Sequence, residues 1–467
     1  MLRAVLYWVS QKRWLLFAAV LSFVLYNLPY PDGISANGYR TINIVIIVLI
    51  LIVSEAVPLP AIALLIAVLQ VTFGIGDSSE VARSFMSDAV FFIMGSLMLA
   101  VAIVKQGLDA RLTLGILALT GTKVTSIMWG FFIISLLLTS FIGEHAVVAM
   151  LLPVVLTLVR NTSEDKGEVK NLTNLLLFAL IYGSIIGSIG TPSGGARNAI
   201  MIGYWRDFGL AQIGYLKWMT YTYPLMLIQI PFAGWILLRA FKPEHQRLDR
   251  AVRKLRAQVG RSGELTRQQI LAIILFVLIF LGWIFLSDHI GMGIVALGGV
   301  FLYLATGLVE WQEINQRTNW GVVLLFAAVI SLGTQLSNTG AALWLAQHLL
   351  SLMDPVLQQF ALAQYLLVMV VTTVVANVMS PSATVAMLGP LFINFEGNTI
   401  FLGFTTAVAS AFGYFTTVGS PAGMIVAATG LVKAKDFLRA GWRFALMSAF
   451  FLILALLFYW PRIYTDV

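Results

Sequence analysis

The chain has 467 residues, of which 59% are hydrophobic and 11% charged, with 30 Phe, 12 Trp, no Cys and a formal net charge of +8. A mean hydropathy of +0.91, carried by apolar blocks of membrane-spanning length, excludes a soluble globular protein. The lack of cysteine excludes disulfides, thiolate metal sites and thiol nucleophiles, and the basic residues cluster in short loops beside apolar segments, a pattern of membrane topology and not of nucleic-acid binding.

Arg3, Lys12 and Arg13 precede a first apolar run, 14–30, that has the outline of a signal peptide. It lacks a small-x-small cleavage site and is followed by many more spans, so a retained first helix is expected. Crossing a bilayer takes about 20 mostly apolar residues. Spans are accordingly predicted over 14–30, 41–54, 58–75, 86–105, 171–189, 216–240, 270–287, 290–309, 320–337, 400–418 and 443–460, about 11 in all. Two further apolar stretches, 124–159 and 356–396, break in the middle at "GEH" and "MSPS". Each predicts two short helices meeting at a polar tip, a re-entrant hairpin. The fold class expected is an all-α polytopic membrane protein with two such hairpins.

Residues 242–267 hold eight Lys/Arg against three Asp/Glu, which makes this loop cytoplasmic. Counting spans from it puts the N-terminus inside; Lys433, Lys435, Arg439 and Arg443 also fall inside, and the C-terminus outside. The same loop divides two halves that resemble each other. "GEHAVVAMLLP" (143–153) and "SPSATVAMLGP" (380–390) agree at six of eleven positions, "GLDARL" at Gly107 pairs with "GAALWL" at Gly340, and "GTP" (190–192) pairs with "GSP" (419–421). An internal repeat follows. The expected domains are 1–240, a first inverted repeat with hairpin 124–159 and broken helix 171–204; 241–268, a basic cytoplasmic linker; and 269–467, a second repeat with hairpin 356–396 and broken helix 400–432. Inverted repeats with paired broken helices are a pattern of secondary transporters, with the site near the midplane.

These motifs resemble the divalent anion/sodium symporter family of sodium-coupled dicarboxylate, citrate and sulfate carriers, over most of the chain. Each family repeat has a Ser-Asn-Thr tip before "ATAALLLP"-like sequence, then a broken helix containing "GTPPNAI"; here Ser380-Pro381-Ser382 precedes "ATVAMLGP", and Gly190 to Ile200 read "GTPSGGARNAI". The resemblance implies an elevator carrier, a homodimer in the plasma or inner membrane, with no enzymatic activity and no organic cofactor. It also implies a small anion held between the tips and breaks, and sodium bound by them. By that resemblance the substrate-binding set is Gly143, Glu144, His145, Arg197, Asn198, Ser380, Pro381, Ser382, Thr417, Ser420 and Pro421. Sodium would be held by Ser380, Ser382, Thr384 and Gly419 in the second half, and by Gly190 and Thr191 in the first.

The chain departs from the family pattern at the first tip, Gly143-Glu144-His145, at Pro381 in the second tip, and in the first break, where "SGGAR" reads as an insertion that brings Arg197 to the site; the second break, 416–426, lacks the Asn. Glu144 either reaches the cytoplasmic interface or faces the site, and Arg197 lies either on the loop surface or at the site's edge. A charged side chain at bilayer depth is unfavourable by roughly 2.5–3.5 kcal/mol on insertion scales, which favours partners for both. Glu144 and His145 are candidates for proton coupling, because histidine titrates near neutral pH and a buried carboxylate shifts upward. Glu55 and Asp88 sit at predicted span ends, and "SNT" at 337–339 ends a helix and is no tip. The function expected is anion transport, with a di- or tricarboxylate favoured and sulfate as the alternative. An intramembrane hydrolase using His145 with Ser380 or Ser382, and a receptor derived from a transporter, are the readings from other classes.

Overall fold

A computed structural model describes residues 13–464 apart from 55, 108–110, 112–114, 116–117, 164, 166, 260–264, 352–354 and 356–358. Glu55, part of the arm sequence after Gly107 and the start of the predicted second hairpin lie outside the described residues. The first half contains α1 (Arg13–Asn27), α2 (Ala36–Ser54), α3 (Leu59–Thr72), α4 (Asp88–Lys105), α5 (Val124–Ile142), α6 (Glu144–Arg160), α7 (Lys170–Gly187), α8 (Ala196–Asp207) and α9 (Tyr215–Ala240). An amphipathic α10 (Asp249–Val259) follows within the basic linker, burying Ala251, Val252 and Leu255. The second half contains α11 (Arg267–Phe285), α12 (Met292–Ala305), α13 (Trp320–Asn338), α14 (Ala341–Ser351), α15 (Ala361–Ala376), α16 (Pro381–Phe392), α17 (Thr399–Ala409), α18 (Pro421–Ala427) and α19 (Ala434–Leu454).

Among the described residues, eight helices are long and apolar enough to cross a membrane: α2, α4, α5, α7, α9, α11, α13 and the helix running on from α19 to Ile463. The runs predicted at 14–30, 58–75 and 290–309 form the shorter α1, α3 and α12. The apolar run 400–418 does not continue as helix past Ala409, and its remainder is the irregular segment before α18. Residues 337–339 close α13, where the Thr339 hydroxyl donates to the Gln335 carbonyl at 2.7 Å.

Local chemistry sets the helix starts that matter for the site. Ser380 and Ser420 are N-caps whose hydroxyls accept from the Ala383 and Gly423 amides, and Pro381 and Pro421 follow at N1, where a missing N–H leaves no bond unmade. Proline interrupts both returning limbs, at Pro153 in α6 and Pro390 in α16. In each the side chain four residues on donates to the proline carbonyl, Thr157 at 2.8 Å and Asn394 at 2.6 Å. Between α5 and α6 the turn is Gly143 alone, at φ +78°, a conformation that glycine adopts without strain.

The packing pairs each half with the other. α4 lies on α12 and α3 on α13; α8 lies on α16 and α18 on α6. Within each half the first limb of the hairpin packs on the helix before the break, α5 on α7 and α15 on α17. Tyr204 of α8 crosses between halves, its hydroxyl donating to the Ala386 carbonyl of α16 at 2.6 Å.

The α5–α7 contact is close because of glycine: a Cβ on Gly187 would lie 2.1 Å from the Leu136 carbonyl oxygen. Gly187→Ala is therefore expected to destabilise the protein by about 1–3 kcal/mol through overpacking. Thermal unfolding in detergent checks this, and an unchanged midpoint would contradict the close approach.

Candidate functional site

The two tips and the two breaks converge on one cavity of about 170 Å³. Gly143, Glu144 and His145 enter it from the first tip and Ser380, Pro381 and Ser382 from the second. Pro192 to Arg197 enter from the first break, and Pro421 and Met424 from α18. The opposite wall is apolar except for Ser96: Leu59 of α3, Phe92, Ile93 and Leu97 of α4, and Val322, Leu325 and Phe326 of α13.

Buried backbone that leaves the helix needs protein partners, and the tips and breaks supply them to each other. The two halves do so by one plan. Ser140 and Asn377, each three residues before its tip, donate from the side chain to the Gly187 and Phe412 carbonyls, both at 3.0 Å. Their own carbonyls accept from the Thr191 and Thr416 hydroxyls. Those hydroxyls accept in turn from the Gly194 and Gly419 amides, at 3.1 and 3.0 Å. Gly194 abuts the Ser188 carbonyl as Gly419 abuts that of Gly413.

This plan corrects the register read from the letters. "GTP" at 190–192 does not match "GSP" at 419–421; Thr191 matches Thr416, Gly194 matches Gly419, Gly195 matches Ser420 and Arg197 matches Ala422. From Thr191 to the start of α8 at Ala196 and from Thr416 to the start of α18 at Pro421 the spacing is the same, so "SGGAR" is no insertion relative to the second half. Gly194 to Ile200, "GGARNAI", is then the gap-free counterpart of the "GTPPNAI" pattern.

Arg197 and Glu144 are both buried, 2% and 5% exposed, so neither lies on the protein surface. Arg197 Nη1 lies 3.5 Å from Glu144 Oε1, and Nη2 donates to the Ser188 hydroxyl at 2.5 Å. Among the described residues, Arg197 Nε and Glu144 Oε2 have no hydrogen-bond partner. A Cβ on Gly195 would come within 3.0 Å of Nη1, so the glycine makes room for the guanidinium; in the second half Ser420 stands there because residue 422 is only alanine. His145 is exposed and lines the cavity.

The remaining predicted residues divide. Asn198 lies outside the cavity lining and staples the first break, its Nδ2 donating to the Ser188 and Thr191 carbonyls at 2.8 and 2.7 Å. Thr417 and Ser420 do not line the cavity either; Thr417 is half-buried and Ser420 caps α18. Thr384 donates to the Ser380 carbonyl at 3.1 Å. The Gly190 carbonyl accepts from Thr222 at 3.0 Å, and Gly419 is pressed against Gly413. Asp88 begins α4 and joins it to the neighbouring helices, accepting from Arg206 at 2.9 Å and from the Gly293 amide at 3.0 Å. Ser188, Gly195, Ser140 and Asn377 were not anticipated from sequence; polar side chains three residues before both tips were the available signal for the last two.

Removing one partner of a buried ion pair leaves the other charge uncompensated, so Arg197→Gln is expected to destabilise the protein by roughly 3–5 kcal/mol, with much of the loss recovered in Glu144→Gln/Arg197→Gln. Chemical denaturation of the four variants in micelles measures the coupling, and additive losses would contradict it.

The profile of a family described as "Sodium:sulfate symporter transmembrane region" matches residues 10–465. A sodium-dependent dicarboxylate transporter of Staphylococcus saprophyticus is 25% identical, over 98% of this chain and 93% of its own. The sodium-dependent high-affinity dicarboxylate transporter 3 of Caenorhabditis elegans is 24% identical, over 87% and 80%. An uncharacterized transporter of Haemophilus influenzae is 27% identical, over 92% and 94%. The family and these relatives are transporters and not enzymes, so the hydrolase reading of His145 with Ser380 or Ser382 is set aside. With all but its extreme ends matched, this chain, a multi-pass membrane protein, belongs to the sodium:sulfate symporter family.

Proposed function

We propose that this protein is a secondary active transporter that carries a small dicarboxylate across the membrane together with sodium. The observation that carries the reading is the cavity at which both tips and both breaks converge, where, among the described lining residues, Arg197 is the one arginine or lysine. One substrate carboxylate would meet Arg197, and the other the N-terminus of α16 at Ser382, where the Ser382 amide and the positive end of the helix favour an anion. Dicarboxylate and sodium follow from the printed names of the Staphylococcus and nematode relatives. Tricarboxylates and sulfate are the competing cargoes, the latter from the family's description.

Sodium would sit beside the second tip. The Ser380 hydroxyl accepts one bond there and the Thr384 hydroxyl donates one, which leaves lone pairs on both for a hard cation, with Ser382 in the same tip and Gly419 just before α18 as the further candidates. The exchanged packing of α8 on α16 and α18 on α6 supports two inverted repeats, and the apolar wall of α3, α4 and α13 supports an elevator movement of tips and breaks along it. The basic clusters support a cytoplasmic N-terminus and an external C-terminus. A homodimer follows from the family resemblance. A proton-coupled reading rests on Glu144 and His145, which with Arg197 are the titratable described residues of the lining.

Uptake by proteoliposomes of labelled succinate, citrate and sulfate, with sodium and pH gradients imposed separately, tests these readings. Sodium-driven succinate uptake is expected, falling by at least about tenfold in Arg197→Ala, the usual scale for losing a charged partner of a buried anion. Sulfate uptake without succinate uptake would favour the inorganic cargo, sodium-free uptake driven by a pH gradient would move coupling to Glu144 and His145, and no uptake of any of the three would overturn the reading.

A further inference from the structure

We propose that Glu144 is an internal counter-ion that occupies Arg197 when no substrate is bound, and that this lets the unloaded carrier return, giving net transport as well as exchange. The proposal rests on the transport reading above and concerns its mode.

Arg197 is fully enclosed, and the wall it faces offers Leu59, Phe92, Leu97, Val322, Leu325 and Phe326 with the Ser96 hydroxyl as the one polar side chain. A lone guanidinium moving along such a surface is an uncompensated buried charge. An unloaded site can therefore cross only if the chain supplies its own anion. Glu144 does so, from the first residue of α6, across the turn at Gly143.

The contact is built to be exchanged. It is a single approach at 3.5 Å, not a bidentate fork, and among the described residues Arg197 Nε and Glu144 Oε2 have no hydrogen-bond partner. An incoming carboxylate that takes two guanidinium nitrogens would make shorter, paired bonds and displace the glutamate.

The second half shows that the pair is not needed to form a break. Its backbone plan is the same, yet Pro381 stands in place of Glu144, Ala422 in place of Arg197 and Gly413 in place of Ser188. Both charges and the serine that holds the guanidinium are absent together there.

Net uptake of labelled succinate into empty proteoliposomes is compared with exchange into succinate-loaded ones, at saturating substrate. In Glu144→Gln the ratio of net uptake to exchange is expected to fall by about tenfold or more, since only the unloaded return carries an unpaired Arg197. Glu144→Asp, which keeps a carboxylate opposite the guanidinium and guards against failure of Glu144→Gln to fold, is expected to keep most of the parent ratio. An unchanged ratio in Glu144→Gln, or a ratio in Glu144→Asp as low as in Glu144→Gln, would overturn the proposal while leaving the transport reading intact. A parent protein that neither exchanges nor takes up anions would overturn that reading itself.

Discussion

Backbone that leaves the helix at membrane depth must be satisfied by protein, and this one constraint organises the molecule. Two hairpin tips and two helix breaks are tied by the same bonds in each half, Thr191 to Ser140 and Thr416 to Asn377, with glycine amides closing each loop. Ser140 and Asn377 each tie a tip to the break of the same half, and the packing of α8 on α16 and of α18 on α6 joins the two halves. Their polar ends meet in a single cavity, and the apolar helices α3, α4 and α13 pass on the other side of it. Stability and function are thus linked through the same small set of hydroxyls, carbonyls and glycines.

Within that body the two halves are alike in backbone and unlike in charge. The first carries Glu144 and Arg197, the second Pro381 and Ala422. Each charge is intelligible only with the other, since either alone at this depth would be unsatisfied. Gly195 and Ser188 complete the arrangement, one by leaving space for the guanidinium and the other by accepting from it. The asymmetry gives one half a guanidinium for an anion and leaves the other with helix N-termini and oxygen atoms. Such a division suits a site that takes an anion and a hard cation together.

Much of this was legible in the sequence because membrane helices are written in long apolar runs. The positions of α2, α4, α7, α9, α11 and α13 follow from length alone. The tips were visible because a glutamate and a histidine, or a serine–proline pair, interrupt such runs at matching distances from Pro153 and Pro390. The register of the breaks was not legible: "GTP" and "GSP" share letters, but hydrogen bonds pair Thr191 with Thr416. Serine–proline at 380–381 and 420–421 reads as ligand chemistry in one dimension, yet its first task is to cap α16 and α18. The partnership of Glu144 with Arg197, 53 residues apart, could not be told from two separate surface charges until the chain folded.

The account turns on Arg197 being the anion ligand that Glu144 holds in reserve. A cryo-EM structure of the protein with succinate and sodium bound tests this most directly. It is expected to show a succinate carboxylate in contact with the Arg197 guanidinium and Glu144 withdrawn from its present 3.5 Å approach. Succinate bound elsewhere, with Glu144 still on Arg197, would contradict it.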